Sequence, residues 1–196
     1  MNEIRNCLLE KNGIKKKENE LFLSDWEELS ELRILSEEFI REFKDKVDWY
    51  LVSIYQVLSE GFIREFKDDV VWSYISQYQT LSEDFIREFQ NELEWEEITE
   101  EQNLSENFIR EFQQKVDWGW ISEKYKVTDA FLIEFKDKID WNVYFDFNVP
   151  SFVIYKKFIY KTHFIDLDGL NTSLLDDNQK RDIEKILKLK YVFIKK

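Results

Sequence analysis

Tryptophan stands at positions 26, 49, 72, 95, 118 and 141, each 23 residues from the next. Around this ladder whole segments return. LSEEFIREFKDKVDW starts at Leu35, LSEGFIREFKDDVVW at Leu58, LSEDFIREFQNELEW at Leu81 and LSENFIREFQQKVDW at Leu104, and a worn copy, VTDAFLIEFKDKIDW, starts at Val127. A fixed period of roughly 20 to 50 residues marks a stack of repeats, each hiding its apolar face only against its neighbours. Within one copy Leu35, Phe39, Ile40, Phe43 and Val47 fall on one stripe of an α-helix, whereas strand alternation would separate Phe39 from Ile40. Ser36, and Ser59, Ser82, Ser105 and Thr128 after it, stands where a hydroxyl can cap the helix, with acidic residues following at the positive end of the helix dipole.

The second half of each copy is shorter. Asp48, Asp117 and Asp140 can cap a second helix, while Val71 and Glu94 at the same place make weaker caps or none. The expected copy is a helix of about ten residues, a tight corner and a helix of about seven, with apolar Val52, Ile75, Ile98 and Ile121 on the tryptophan face. The predicted fold is all-α, a solenoid of tandem helical hairpins. Residues 35–149 hold five copies. Residues 1–34 form an N-terminal cap, in which Ile4, Cys7, Leu8 and Leu9 outline an amphipathic turn and Trp26 belongs to a half repeat. Residues 150–196 form an eroded copy, with Phe158 in the place of Phe135, an irregular stretch, and a last helix capped by Asp177 or Asn178.

The formal charge is −13, and the acid is concentrated in the repeats while the end of the chain is basic. Such a body repels nucleic acid, so no direct DNA or RNA contact is expected along the repeats. A hydrophobic content of 43% argues against disorder. Apolar runs are too short for a transmembrane helix, and the first residues lack the apolar core of a signal peptide. With Cys7 the sole cysteine, no internal disulfide is available, and a cytoplasmic protein without membrane contact is expected.

Nothing in the chain has the spacing of a catalytic centre. His163 is the only histidine and falls in the eroded end, and the four glycines are isolated. Asp166, Asp168, Gly169, Asn171 and Asp176 imitate a calcium loop, but the glycine comes early and no glutamate closes the loop. No catalytic residue, metal or cofactor is therefore expected. Each tryptophan of the ladder reads as a wedge between helices, its indole N–H on a nearby carbonyl. Arg41, Arg64, Arg87 and Arg110 read as ion pairs with glutamates of neighbouring copies. The residues the repeat does not demand are better candidates for a partner: Trp120, Tyr50, Tyr55, Tyr74 and Tyr78, aromatic types that dominate binding hot spots. Beside them stands the acidic cluster Glu92, Glu94, Glu96, Glu97, Glu100 and Glu101 of the third copy, able to steer a basic partner.

The FIREF and DW elements of these copies resemble the short tandem repeat proteins of large DNA viruses and of some bacteria and mobile elements, closely over residues 35–126 and faintly over 12–34 and 127–149. The resemblance implies a helical-repeat scaffold of viral or mobile-element origin and assigns no activity. The expected function is a non-enzymatic protein-interaction module. The alternative is an acidic inhibitor that occupies the nucleic-acid channel of a host defence effector, such as a CRISPR nuclease, by mimicry. A repetitive surface also allows a homo-oligomeric structural role.

Overall fold

The computed structural model describes residues 2–32, 35–164 and 167–194, and every regular element among them is helical. The chain forms two compact units, Met1–Gln102 and Asn103–Lys196. The first contains α1 (Asn2–Lys11), a 3₁₀ turn at Glu18–Glu20, and α2 (Leu23–Leu32). The repeat helices follow in pairs: α3 (Glu37–Glu42) with α4 (Trp49–Tyr55), α5 (Glu60–Glu65) with α6 (Trp72–Tyr78), and α7 (Glu83–Glu88) with α8 (Trp95–Glu101).

The local chemistry follows the sequence closely. Ser36 Oγ accepts from the Phe39 amide at 3.1 Å, and Ser59 and Ser82 repeat the bond one and two copies on. Asp48 caps α4 through the Tyr50 and Leu51 amides, while Val71 and Glu94 make no side-chain cap. The first helix of each copy is shorter than expected, six residues rather than about ten. It ends at Phe43, with φ −110° and ψ 25°, and the Lys46 and Val47 amides both return to the Phe43 carbonyl. A continued helix would commit the Lys44 carbonyl to the backbone. Here it accepts the Trp49 indole N–H at 3.1 Å, and Trp72 and Trp95 make the same bond to Lys67 and Gln90.

Second helices pack in series, α4 on α2, α6 on α4 and α8 on α6. Phe39, Ile40, Phe62, Ile63, Phe85 and Ile86 are essentially inaccessible to solvent between them. Each tryptophan wedges against the phenylalanines of the next copy. Ring centroids lie 5.1 Å apart for Trp26 and Phe43, 5.0 Å for Trp49 and Phe66, and 4.9 Å for Trp72 and Phe89.

Hydrogen bonds fix the register between copies. Ser53 Oγ donates to the Trp49 carbonyl and accepts the Val71 amide, and Ser30 and Ser76 repeat this one copy away on either side. Gln79 is buried; its Oε1 accepts the Leu58 amide at 3.0 Å and its Nε2 donates to the Ser53 and Gln56 carbonyls. Gln56 and Gln102 take the same role at their own levels. The Glu that follows each capping serine reaches forward, so that Glu37 accepts the Ser59 amide and Glu60 the Ser82 amide, both at 2.7 Å.

At the N-terminal side of the repeats a different part stands in for the arginine ladder. The place one period before Arg41 is taken by Glu18, and Arg5 of α1 bridges Glu18 and Glu42 at 2.6 and 2.8 Å while covering the Phe43 ring. Leu8 and Leu9 are buried, but Cys7 faces solvent, contrary to the expected stripe; the Ile4 side chain lies outside the described residues. Gly13 ends α1 at φ 74°, and the Ile14 amide returns to the Leu9 carbonyl, a closure that a left-handed residue makes possible.

The second unit holds α9 (Glu106–Glu111), α10 (Trp118–Lys124), α11 (Asp129–Glu134), α12 (Trp141–Phe147) and α13 (Phe152–Phe158). A 3₁₀ turn at Ile159–Lys161 and the long α14 (Asp177–Ile194) complete it. Tyr125 stands where the ladder calls for glutamine. The Leu104 amide donates to its hydroxyl, and burial drives its phenol well above the ordinary tyrosine value. Ser151 caps α13, and Phe158 stacks on Trp141 at 4.0 Å. Residues 170–176 carry no helix. The cap of α14 is Asp176, which accepts the Asn178 and Gln179 amides, one residue before the expected Asp177 or Asn178. Ile183 and Leu187 of α14 are buried, and Lys190 donates to the Thr162 and Phe164 carbonyls.

Candidate functional site

In each second helix of the first unit the fourth and fifth residues face the core. These are Val52 and Ser53, Ile75 and Ser76, and Ile98 and Thr99. The second, third, sixth and seventh residues are left for the outer face. On α4 they are Tyr50, Leu51, Ile54 and Tyr55; on α6, Ser73, Tyr74, Gln77 and Tyr78; on α8, Glu96, Glu97, Glu100 and Glu101. The candidate residues on α4, α6 and α8, from the first, second and third copies, thus share one surface, in rows that cross the helices.

Three of the four tyrosines touch. The Tyr74 ring meets Tyr50 edge-on at 4.8 Å, its hydroxyl donating to the Tyr50 hydroxyl at 3.1 Å, and stacks on Tyr78 at 6.1 Å. The bond to Tyr50 raises the Tyr74 phenol above its ordinary value. Tyr50, Tyr55 and Tyr78 remain 49%, 49% and 52% exposed, whereas Tyr74 is half-buried. None of these hydroxyls serves the buried ladder described above.

On α8 the glutamates crowd one another. Glu97 has one carboxylate oxygen shielded from solvent with no hydrogen-bond partner. Burial, then repulsion by Glu100, Glu96, Glu101 and Glu94, pushes its carboxyl above the usual carboxylate range. A raised acid pKa means that the native state holds the proton more tightly than the unfolded chain, so the penalty is present at neutral pH and is relieved as pH falls through the folded value. Glu97→Gln is therefore expected to stabilise the fold at pH 7 by up to about 1 kcal/mol, the scale of partly exposed charge effects. The gain should shrink in denaturation curves taken at pH 4. Glu94 sits at the start of α8 and Glu92 in the corner before it, so Glu92 does not join the helix face.

Trp120 belongs to the second unit. It is half-buried on α10, its amide held by the capping Asp117, and a Cβ at Gly119 would stand 2.9 Å from that cap's carboxylate. The arginine ladder forms the expected pairs: Arg41 with Glu65, Arg64 with Glu88 and Arg110 with Glu134, each at 2.8 Å. Each guanidinium also lies over a phenylalanine of the next copy, Phe62, Phe85 and Phe131 respectively. Periodic sequence reading misses this stacking.

His163 is exposed, bonded to Asn142 and stacked on Phe164. Asp166 lies outside the described residues, and Asp176 is occupied as a helix cap. Among the described residues no group of His, Cys, Asp and Glu is arranged to hold a metal ion. No protein-family model matches the chain, and comparisons with curated proteins and with solved structures find no match.

Proposed function

We propose that this chain is a non-enzymatic helical-repeat module that binds another protein through the outer face of α4, α6 and α8. The observation that supports this is the tyrosine ridge. Three half-exposed phenols cluster on a face whose packing duties are met by Val52, Ile75 and their neighbours. Exposed aromatic clusters of this kind are costly to leave in water and supply binding hot spots. A cytoplasmic setting accords with the lone Cys7, and no described helix is long and apolar enough to cross a membrane.

The Tyr50→Ser, Tyr78→Ser double variant tests the reading. Its stability should change by no more than about 0.5 kcal/mol per site, as for surface positions. A photo-cross-linker at position 78 should trap one discrete protein that the Tyr50→Ser change prevents. The same product from a cross-linker at the exposed Leu174 of the second unit would overturn the assignment of this face.

The crowded glutamates of α8 support a second reading, in which a viral or mobile-element protein fills the basic nucleic-acid channel of a host effector. Salt separates the two. A mimic releases its partner as ionic strength rises, while a partner held by burial of the tyrosines stays bound.

A further inference from the structure

The two faces of the first unit treat charge differently. On the first-helix face the cations are consumed internally: Arg41 holds Glu65, and Arg64 holds Glu60 and Glu88. The second helices supply no cation of their own. Not one lysine, arginine or histidine occurs in α2, α4, α6 or α8. Glu96, Glu97 and Glu101 pair with no cation among the described residues. Acid also lies on the far side of the tyrosines, because α2 carries exposed Glu27, Glu28 and Glu31 and packs against α4. That side is partly answered. Lys16 pairs with Asp25 at 2.7 Å, and Lys15 and Lys16 line a hollow with Glu28. The order across the face is therefore weak acid on α2, aromatic and aliphatic on α4 and α6, and on α8 strong acid in which Glu96, Glu97 and Glu101 pair with no cation among the described residues.

Resting on the interaction reading above, we infer that this face takes a segment of another protein that places arginine or lysine on both sides of an apolar or aromatic centre. The tyrosine faces receive the centre and can also hold a guanidinium by cation–π contact. The carboxylates of α8 form the stronger anchor. Four packed helices at about 8–10 Å spacing span about 24–30 Å between outer axes. An extended peptide covers that distance in about seven to nine residues at about 3.3–3.6 Å each. The sign of the face turns away nucleic acid and anionic lipid surfaces alike.

The test is selection of a random displayed peptide library on the immobilised full chain, followed by affinity measurement on synthetic copies of the winners. Enriched peptides should be basic at both ends of an apolar centre. Their affinity should fall about tenfold or more on Y50S/Y78S and on E96Q/E101Q, and less on E27Q/E31Q. Enrichment of neutral or acidic peptides that lose affinity only on Y50S/Y78S would overturn the basic partner while leaving the interaction face standing. Winners indifferent to every variant, or no enrichment at all, would overturn both. Concentration-dependent light scattering covers the remaining occupant. Self-association abolished by Y50S/Y78S would assign the face to the basic end of a second copy and overturn the inference.

Discussion

Phe85→Ala should lower the stability of the fold by about 3–5 kcal/mol, the cost of deleting a fully buried phenyl ring. Phe85 has no solvent exposure and sits between Trp72 of one copy and Phe89 of its own, with the Arg64 guanidinium 4.8 Å above its ring. The cavity therefore opens at an interface between copies. A stack of repeats derives its cooperativity from such interfaces, so the loss should broaden or divide the unfolding transition as well as shift it. Denaturant unfolding followed by tryptophan fluorescence reports both, because Trp72 borders the cavity. Phe85→Leu, which keeps most of the volume, should cost less than half as much. Equal losses for the two variants would mean that ring contacts, rather than filled space, hold the copies together.

Gln79→Ala is expected to cost about 2–4 kcal/mol, although a lone glutamine at a helix end seldom matters so much. The substitution strands the Leu58 amide and takes the donor from the Ser53 and Gln56 carbonyls, all away from water. A buried polar group left without its partner suffers the whole desolvation penalty. Gln79→Glu gives the sharper result. Its carboxylate could still accept from Leu58 but would face the two carbonyls without a proton to offer. Burial and those carbonyls raise its pKa in the folded state, so the variant should be most destabilised at pH 7 and recover as pH falls through the raised value. Urea midpoints at pH 7 and pH 5 measure the recovery. A Gln79→Glu protein equally stable at both would show that the ladder bond is not made in solution.

The helical copies, their caps and their tryptophan wedges were legible in the sequence for a common reason. Each depends on short-range chemistry that recurs every 23 residues: a serine before the first turn, an apolar stripe at helical spacing, and an indole with a carbonyl five residues back. Helix length was less legible. The helix stops at Phe43 because the Lys44 carbonyl goes to the indole, a competition that propensity does not register. The glutamine ladder also recurs at 56, 79 and 102, yet a polar residue in a connection reads as solvated until the burial of its neighbours is known. Nor does periodicity reveal that Arg64 lies on Phe85 as well as pairing with Glu88.

The candidate site divides in the same way. Residue type alone picked out Tyr50, Tyr74, Tyr78 and the glutamates of α8, since they depart from what the repeat requires. That they share a face is a consequence of how the second helices stack, as is the edge-on contact between Tyr50 and Tyr74 across two copies. The sequence by itself determined a repeating helical unit, because period, caps and apolar stripe are encoded within each copy. Only the tertiary structure decided which charges are spent on neighbours and which are left open, because that depends on the distance between side chains 24 residues apart, as for Arg41 and Glu65.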